Sequence, residues 1–425
     1  MPSSRNVTKS AESKSTDPPL TLPEVDFGSD PLPDLAQRLR EIEARGERVV
    51  RVRFMGGDAW LVLGYDNVAG VLKNDEEIPA GPHYQEVMST AGRTVLQMEG
   101  EEHHAYKAVM LRWFSPKRVE QLTEEVVLPV IDRIIDEFGD QRSVRLTDTF
   151  TQRLGFDVMS RLIGMPAGGE AEREIKRVIT DMNQMLDPDA SLEAREQNAR
   201  EGIEKANAIL RPVLEERKRR REDDFISYLI DLEVLGKTFT DDEILNWARL
   251  AYVAGADSTG FQIGNVLAAI LSRPELQELM LKDMASRTPV IDELMRLEGA
   301  SGLVVRRAVK DTPVGGVTIP SGAHILLGFP SANRDPEQFD EPEEIRFDRK
   351  NKGQSVTFGK GAHFCLGHNL AKAEVHEAVH HLLDRLPGLR LAGPPSRPIG
   401  SQFRFVADGL PVEFDDVVPA LTHTG

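Results

Sequence analysis

The sequence predicts a mainly α-helical protein with a small β subdomain. Between residues 119 and 271 apolar side chains recur with helical periodicity, and the breaks fall at Pro166, Pro188 and residues 221–224. Short runs rich in β-branched residues, separated by Gly and Pro, lie on both sides of this region. Hydrophobic residues make up 40% of the 425 residues, which suffices for a large core, and a single cysteine excludes an internal disulfide framework.

The composition also limits the classes of function. A net charge of −17 at pH 7 argues against nucleic acid as the main partner, because binding to phosphates needs a basic face. Residues 1–25 are rich in Ser, Lys, Thr and Pro and are expected to form a disordered tail, followed by one domain over residues 26–425. No apolar N-terminal run suggests a signal peptide or a membrane anchor, and we therefore expect a cytoplasmic protein.

The first predicted elements surround a hairpin at Gly56-Gly57-Asp58, which separates two β-rich runs. Residues 76–93 predict an irregular loop, and long loops often bind ligands. The expected bounds in this part are helix 32–45, strands 48–54 and 59–63, helix 66–72, and a helix that starts near Glu101 and is ended by Pro116. Further along we expect short strands at 303–305, 314–319 and 324–327, a helix from Cys365 to Leu386, and a final hairpin that contains Phe403 and Phe405.

The longest predicted helix, residues 241–271, is expected to lie at the centre of the fold. Thr240 and Glu243 form a capping box at its start. About 30 residues at ~1.5 Å per residue give a helix of roughly 45 Å, which crosses a whole domain. Polar residues such as Asp257 and Asn265 interrupt the apolar run, so a buried helix is favoured over a membrane span.

The middle of this helix, residues 254–259 (A-G-A-D-S-T), conflicts with helix preferences twice. Glycine in a helix interior costs about 1 kcal/mol relative to alanine. A buried Asp257 would be expensive without partners. Two such conflicts at one place indicate a functional site. The alternative is a solvent-facing acid on a kinked helix.

The single cysteine, Cys365, lies in the sequence F-G-K-G-A-H-F-C-L-G at residues 358–367. A lone cysteine is either a small buried hydrophobe or a reactive or ligating thiolate. Glycines on both sides allow a tight backbone and the close approach of a flat partner. Phe358 is placed to cover the face of such a partner, and His363 to donate a hydrogen bond at its edge. The pattern therefore favours the ligating thiolate.

This pattern, F-G-x-G-x-H-x-C-x-G, resembles the heme-binding loop of the cytochrome P450 family. The resemblance extends over roughly residues 48–414 and includes four motifs in the family's order and spacing. It implies a cytochrome P450 fold with heme b between the long central helix and the helix after Cys365. It also implies that Cys365 is the axial ligand of the heme iron, and that Phe358, His363 and Gly367 belong to the cofactor site.

Two further parts of the cofactor site follow from the same resemblance. His103 and Lys107 lie four residues apart on one helical face and match a pair that binds the heme propionates; from the residues alone they read equally as a solvated basic face. Lys107 stands where arginine is commoner, so the charge is kept but the bidentate fork is lost. Arg306 matches a strand arginine that pairs with a propionate, and Arg307 is its rival.

The central helix resembles the family's oxygen-binding groove. Gly255 would make room for dioxygen, and Asp257 and Ser258 would form the acid–alcohol pair that delivers protons. Ser258 stands where threonine is usual, and Thr259 follows one place later. Serine keeps the hydroxyl but lacks the methyl group that stiffens χ1.

On the next long helix, Glu293 and Arg296 match a buried ion pair of the family. The family's third partner, usually an arginine, would fall near Glu344. That partner is therefore either missing here or replaced by Arg346 or Arg349.

The resemblance implies a monomeric monooxygenase that uses dioxygen and two externally supplied electrons to hydroxylate or epoxidise a mid-sized apolar small molecule. No flavin or iron–sulfur segment is present, so a ferredoxin or flavodoxin with an NAD(P)H-dependent reductase is expected to supply the electrons. Its docking surface is expected near Arg112, Lys117, Lys360 and Lys372. The segments expected to contact substrate are residues 78–93, 179–192 with Met182, Met185 and Leu186, 303–305 and 401–405.

Other functions stay open at this point. The same heme can catalyse oxidative coupling or ring closure without oxygen insertion, act with peroxide, or serve a non-catalytic sensor. From a different class, His376, Glu377 and His380 form an H-E-x-x-H sequence, the pattern in which two histidines one turn apart bind zinc and glutamate acts as a base. A polar outer face of the helix is the simpler explanation of that pattern.

Overall fold

Helices form the larger part of the structure, a computed structural model that describes residues 18–28, 32–88, 92–166, 168–184, 192–394 and 397–420. The α-helices in these ranges are α1 (Leu35–Glu43), α2 (Tyr65–Leu72), α3 (Gly81–Val87), α4 (Gly100–Trp113), α5 (Pro116–Leu122), α6 (Leu128–Asp136), α7 (Gln152–Ile163), α8 (Glu170–Gln184), α9 (Leu192–Arg219), α10 (Phe225–Ile230), α11 (Asp241–Leu271), α12 (Pro274–Lys282), α13 (Met284–Leu297), α14 (Phe329–Ala332) and α15 (His368–Arg385).

The strands of the described ranges are short and form small sheets. They are β1 (Val49–Phe54), β2 (Gly57–Val62), β3 (Ser143–Arg145), β4 (Glu233–Val234), β5 (Lys237–Thr238), β6 (Leu303–Arg307), β7 (Thr312–Val314), β8 (Val317–Ile319), β9 (His324–Gly328), β10 (Arg390–Leu391), β11 (Pro398–Ile399), β12 (Phe405–Val406) and β13 (Pro411–Glu413). The largest sheet has the order β1-β2-β9-β6, in which β2 and β9 are parallel. A second sheet has the order β10-β13-β3, and three hairpins complete the set.

Helix α11 has the bounds that the sequence predicts. Its capping box is formed: the Thr240 N–H donates to Glu243 Oε2 at 2.7 Å, and the Glu243 N–H donates to Thr240 Oγ1 at 3.3 Å. The helix packs against α7 on one side and α15 on another, and most of its side chains are buried in one large apolar core. It is therefore the central element of the helical part.

The four-stranded sheet separates two smaller cores. Trp60 and Val62 of β2 pack with one cluster, whereas Ala59 and Leu61 pack with the other. This alternation is what a strand buried on both faces requires, because successive side chains point to opposite sides. The mainly α fold with a small β subdomain is thus as predicted.

Several local expectations differ from the structure. Residues 76–93 are not wholly irregular: α3 begins at Gly81, because Pro82 at the first turn has no N–H to lose and its φ suits a helix. Strand β3 and the hairpin β4–β5 interrupt the region predicted as helical. They are only two or three residues long, too short for a periodic signal.

Some predictions fall on residues that are not described. Most of the predicted tail, residues 1–25, lies outside the described residues; in the part that is described, the Thr21 N–H donates to the Arg51 carbonyl at 2.7 Å and Val25 is buried. Met185 and Leu186 lie outside, as does the side chain of Met182. Among the helices that are described, none is long and apolar enough to cross a membrane.

Candidate functional site

The cysteine loop, residues 358–367, turns so tightly that Cys365 returns to the start of the loop. The Cys365 N–H donates to the Phe358 carbonyl at 3.0 Å, and the Gly367 N–H bonds to the sulfur. At Gly361 (φ +73°) a Cβ would lie 2.3 Å from the Leu72 carbonyl oxygen, so only glycine fits. Cys365 is free and partly exposed.

The electrostatics of the sulfur follow from these neighbours. Burial raises the pKa of Cys365, and the Gly367 N–H and the Lys107 ammonium offset part of that rise. A bound metal ion would favour the thiolate further, because a coordinating thiol is deprotonated. A metal ion bound at this sulfur would therefore hold it as the thiolate.

Helix α4 holds this loop through Lys107. Its Nζ donates to the Phe364 carbonyl at 2.7 Å and also to the Ala362 carbonyl. Burial lowers the pKa of Lys107, and Cys365 and Asp75 act in the opposite direction. The ammonium thus binds the backbone on both sides of His363. Its contact with a heme propionate stays a prediction.

Two histidine rings lie in contact beside that lysine. The His103 and His363 rings lie 4.1 Å apart, with 34° between their planes. His103 is 1% exposed, and burial, with His363 and Lys107 nearby, lowers its pKa to about 4, so the ring is neutral at pH 7. His363 Nε2 lies 3.5 Å from Glu99 Oε2, a contact too loose to count as a hydrogen bond.

The structure separates the two candidate strand arginines. Arg306 is 6% exposed, and the one hydrogen bond recorded for it within the described ranges goes to the Val305 carbonyl at 2.9 Å. Arg307 lies on the opposite face of β6 and pairs with Glu86 at 2.7 Å. Arg306 is thus a buried cation that has further N–H groups able to bind an anion, whereas Arg307 is already paired with Glu86 at the surface.

The middle of α11 presents two different faces. Ala254 is exposed and Ser258 is partly exposed, although the helix crosses the interior. The Ser258 Oγ donates to the Ala254 carbonyl at 2.7 Å. Thr259 is 4% exposed, and Asp257 is half-buried. The accessible hydroxyl of this stretch is therefore that of Ser258.

Gly255 lies against the neighbouring helix. A Cβ at this position would lie 2.6 Å from the sulfur of Met159 in α7. Helix α11 runs without interruption through residues 254–259, so the stretch is helical throughout. Room for dioxygen at Gly255 stays a prediction, since the space next to its Cα is filled by Met159.

A buried charge cluster supports the segment before the cysteine loop. Arg296 donates to Glu293 through Nε at 3.1 Å and Nη2 at 2.9 Å, and Arg349 Nε donates to the same carboxylate at 2.6 Å. Burial raises the pKa of Glu293, but the two arginines outweigh it and leave the pKa below its usual value. The Arg346 side chain pairs instead with Asp348 at 2.9 Å. Arg349 is thus the third partner that the sequence left undecided.

The H-E-x-x-H sequence has structural partners of its own. His376 Nε2 lies 3.1 Å from Asp292 Oδ1, and Lys372 Nζ lies 2.9 Å from the same oxygen. The His376 and His380 rings are 6.3 Å apart. Within the described part of the chain, no group of three or more His, Cys, Asp or Glu side chains is placed to hold a metal ion.

Polar atoms of the site that lack a hydrogen-bond partner indicate whether these residues fit a heme. His363 Nε2 is buried without a hydrogen-bond partner in the described ranges. Arg306 has donors that no described residue accepts, and Cys365 is partly exposed and has a free thiol. An iron porphyrin with two propionates offers a metal to the sulfur and anions to the cations. The residues therefore fit the group.

The fold and the site together define a class of protein. Its long central helix, α11, packs against α15, the helix that follows the glycine-rich cysteine loop. The sequence model described as cytochrome P450 matches residues 32–387. The chain belongs to the cytochrome P450 family. This confirms the predicted family and fold, and with them an oxidoreductase of the P450 monooxygenase class that uses heme iron.

Similar proteins come from bacteria. Mycinamicin IV hydroxylase/epoxidase of Micromonospora griseorubida is 30% identical over 375 residues, which cover 85% of this chain and 91% of that protein. Cytochrome P450 monooxygenase PikC of Streptomyces venezuelae is 29% identical over 381 residues, 87% of each chain. Among solved structures, P450BioI in complex with an acyl carrier protein ligated with hexadec-9Z-enoic acid has a TM-score of 0.80 at 25% identity and covers 90% of this chain and 98% of that chain.

The structure also brings forward residues that the sequence analysis missed. Glu99, the residue just before α4, contacts His363. His83 of α3 is 8% exposed, and its Nδ1 has no hydrogen-bond partner among the described residues. The four-residue spacing from Glu99 to His103 was visible in the sequence and indicates a shared face. No comparable signal marked His83.

Proposed function

We propose that this protein is a heme-thiolate monooxygenase that hydroxylates or epoxidises a mid-sized, mostly apolar small molecule, with dioxygen and two electrons from a separate protein. The observation that carries the proposal is the cysteine loop, in which the Gly367 N–H bonds to the Cys365 sulfur. A hydrogen bond to a ligating sulfur tunes its electron donation to iron. A relative acts on mycinamicin IV as a hydroxylase/epoxidase.

The cofactor is heme b, held by residues from three elements. Cys365 binds the iron, and Phe358 and Gly367 shape the loop around it. His103, Arg306 and His363 would hold the propionates, and so would Lys107, which also binds two carbonyls of the cysteine loop. When bound, the heme supplies the activation of dioxygen and the transfer of one oxygen atom to substrate. The protein contributes binding, orientation and proton supply.

Protons reach the site along α11. Ser258 Oγ holds a proton that it donates to the Ala254 carbonyl, and it faces accessible space. Asp257 is the adjacent acid and replaces the proton that Ser258 gives up. Thr259 is buried and has a supporting role at most, and Gly255 keeps the helix narrow at this point.

Electrons arrive at a surface near Arg112 and Lys117. Both side chains are exposed, and no ion pair with another described residue is recorded for either. Lys372, by contrast, is paired with Asp292. We expect Lys117→Glu to slow reduction by a ferredoxin or flavodoxin at low salt more than Lys372→Glu does. Equal rates for the two variants would remove this surface from the proposal, and high salt should abolish the difference.

The test of the proposed function is the absorption spectrum of dithionite-reduced protein with and without carbon monoxide. A strongly red-shifted Soret band is expected for the wild type, and Cys365→Ser should lose it. Protein without heme, or with a carbonyl complex typical of histidine ligation, would overturn the assignment. In that case zinc content, compared between wild type and His376→Ala, becomes the next measurement.

A second outcome on the same heme is oxidative coupling or ring closure without insertion of oxygen. The observation that favours it is the bond from Ser258 Oγ to the Ala254 carbonyl, which commits the hydroxyl to the backbone. Product formed under labelled dioxygen separates the two outcomes, because only insertion carries the label into the product. We expect the label to appear. We also propose that the protein is monomeric and cytoplasmic. Residues 26–425 are proposed to form a single domain.

A further inference from the structure

Glu99 does not do what its position in the chain suggests. It occupies the N-cap position of α4, where a short polar side chain such as Asp or Ser ordinarily accepts an N–H from the first turn of the helix. No such bond is formed. Its Oε1 instead accepts the N–H of Gly81, the first residue of α3, at 2.5 Å. Its Oε2 lies 3.5 Å from His363 Nε2 in the cysteine loop. The two oxygens therefore face two different elements.

The contact with α3 is close and is repeated one turn later. At Gly81 a Cβ would lie 2.9 Å from Glu99 Oε1 and 3.1 Å from the Gln97 carbonyl oxygen. Gln85 Nε2 donates to that carbonyl at 3.0 Å. Helix α3 thus lies along residues 97–99, and glycine at its first position permits this approach.

The contact with the cysteine loop places the Glu99 carboxylate beside the His363 ring. Burial raises the pKa of Glu99, but His363 and the Gly81 N–H outweigh it, so the pKa falls below its usual value and the side chain is charged at pH 7. Lys107 holds the carbonyls of Ala362 and Phe364, on either side of His363. The anion just before α4 and a cation within α4 therefore contact neighbouring residues of the loop, His363 on one hand and Ala362 and Phe364 on the other.

We infer that Glu99 is a positioning residue that ties the first turn of α3 to His363, so that α3 and the loop carrying Cys365 are ordered together. The consequence for catalysis rests on the proposed function. Helix α3 belongs to the segment expected to contact substrate, so Glu99 would couple the order of that segment to the loop that carries the iron ligand. Glu99 itself touches neither substrate nor iron in this scheme.

Hydrogen–deuterium exchange of the full-length protein tests the coupling directly. In Glu99→Ala, exchange at residues 81–87 and at residues 358–367 should both rise, and the rise at residues 81–87 should be roughly tenfold if the charge-assisted bond of ~1.5 kcal/mol to the Gly81 N–H is lost. Gln85→Ala should raise exchange only in α3, and Lys107→Met only in the loop. An increase confined to α3 in Glu99→Ala, or no increase in either segment, would overturn the inference.

The midpoint potential of the heme-loaded protein gives a second readout that a merely structural role would not move. Glu99→Gln keeps an acceptor for the Gly81 N–H but removes a negative charge near the cofactor, so reduction becomes easier and the potential shifts upward. Lys107→Met removes a positive charge and should shift it downward. Gln85→Ala is the control and should leave it unchanged. An unchanged potential in Glu99→Gln would contradict the role of Glu99 at the loop.

The two proposals fail in distinguishable ways. If every variant keeps a red-shifted carbonyl band but exchange does not change as expected, the coupling is wrong and the heme-thiolate function stands. If the wild type binds no heme, the function is wrong. The exchange experiment, which needs no heme, then still decides whether Glu99 joins α3 to the loop.

Discussion

The two sides of the proposed heme site are held in different ways. On the side of Cys365, charged side chains bind the backbone and one another, as Lys107 and Glu293 do. On the side of α11, close packing of α7 against α11 depends on glycine. A Cβ at Gly155 of α7 would lie 2.3 Å from the Ala256 carbonyl oxygen. The first side is therefore sensitive to the removal of a charge, and the second to the addition of volume.

The largest expected effect is on the charged side. Glu293→Gln removes the carboxylate that serves two buried guanidinium groups, those of Arg296 and Arg349. An uncompensated buried charge costs about 3–5 kcal/mol. Urea unfolding of the variant should show that loss, and its heme content should fall. Arg346→Gln, which removes partly exposed ion pairs with Asp348 and Glu341, is the matched control and should unfold like the wild type.

A smaller loss is expected from added volume on the α11 side. Gly155→Ala places a methyl group against backbone that cannot move aside, and overpacking of this kind costs about 1–3 kcal/mol. Gly255→Ala should cost less, because the flexible end of Met159 can shift. Gly264→Ala, where the nearest atom is 3.7 Å away, should be neutral or stabilising by up to about 1 kcal/mol. Thermal unfolding ranks the three, and equal losses would contradict the close crossing of α7 and α11.

Acid sensitivity should be traceable to the helix beneath the cysteine loop. Burial, with His376 and Arg287 nearby, lowers the pKa of His380 from 6.5 to about 4, although Asp384 acts against this. The unfolded chain therefore binds more protons between pH 6.5 and 4, and the stability present above pH 6.5 is lost as the pH falls through that window. His380→Leu should be more stable than the wild type at pH 5 by about 1 kcal/mol, allowing for partial exposure.

The same variant checks the zinc hypothesis. His380 Nε2 has no hydrogen-bond partner in the described ranges, so the substitution should change stability little at pH 7. Added zinc should protect neither protein against unfolding. A parallel pH profile for the two proteins, or protection of the wild type alone by zinc, would show that this histidine has another role.

The smallest expected effect concerns the hydroxyls of α11. Ser258→Ala removes the accessible hydroxyl, and loss of one hydrogen bond of ~1 kcal/mol predicts about a fivefold fall in product formed per electron consumed. Thr259→Ala removes a buried hydroxyl and should leave that ratio nearly unchanged. Product and peroxide are measured together. If Thr259→Ala has the larger effect, the accessible face of α11 has been assigned to the wrong residue.

The sequence predicted the elements whose signals are local. The bounds of α11 follow from its capping box and its periodicity, and Cys365 follows from the glycine pattern around it. The choice between Arg346 and Arg349 could not be made, because both lie in a stretch without periodic structure. The contact of Glu99 with His363 joins distant parts of the chain, and a single sequence carries no signal for such a pair.

The cluster of Glu293 and Arg349 has a consequence for how the protein is made. The two residues are 56 positions apart in the chain. Contacts of such long range form only after the intervening segments are in place, because the entropy of closing the loop must first be overcome. The segment that leads into the cysteine loop is therefore expected to become ordered late in folding.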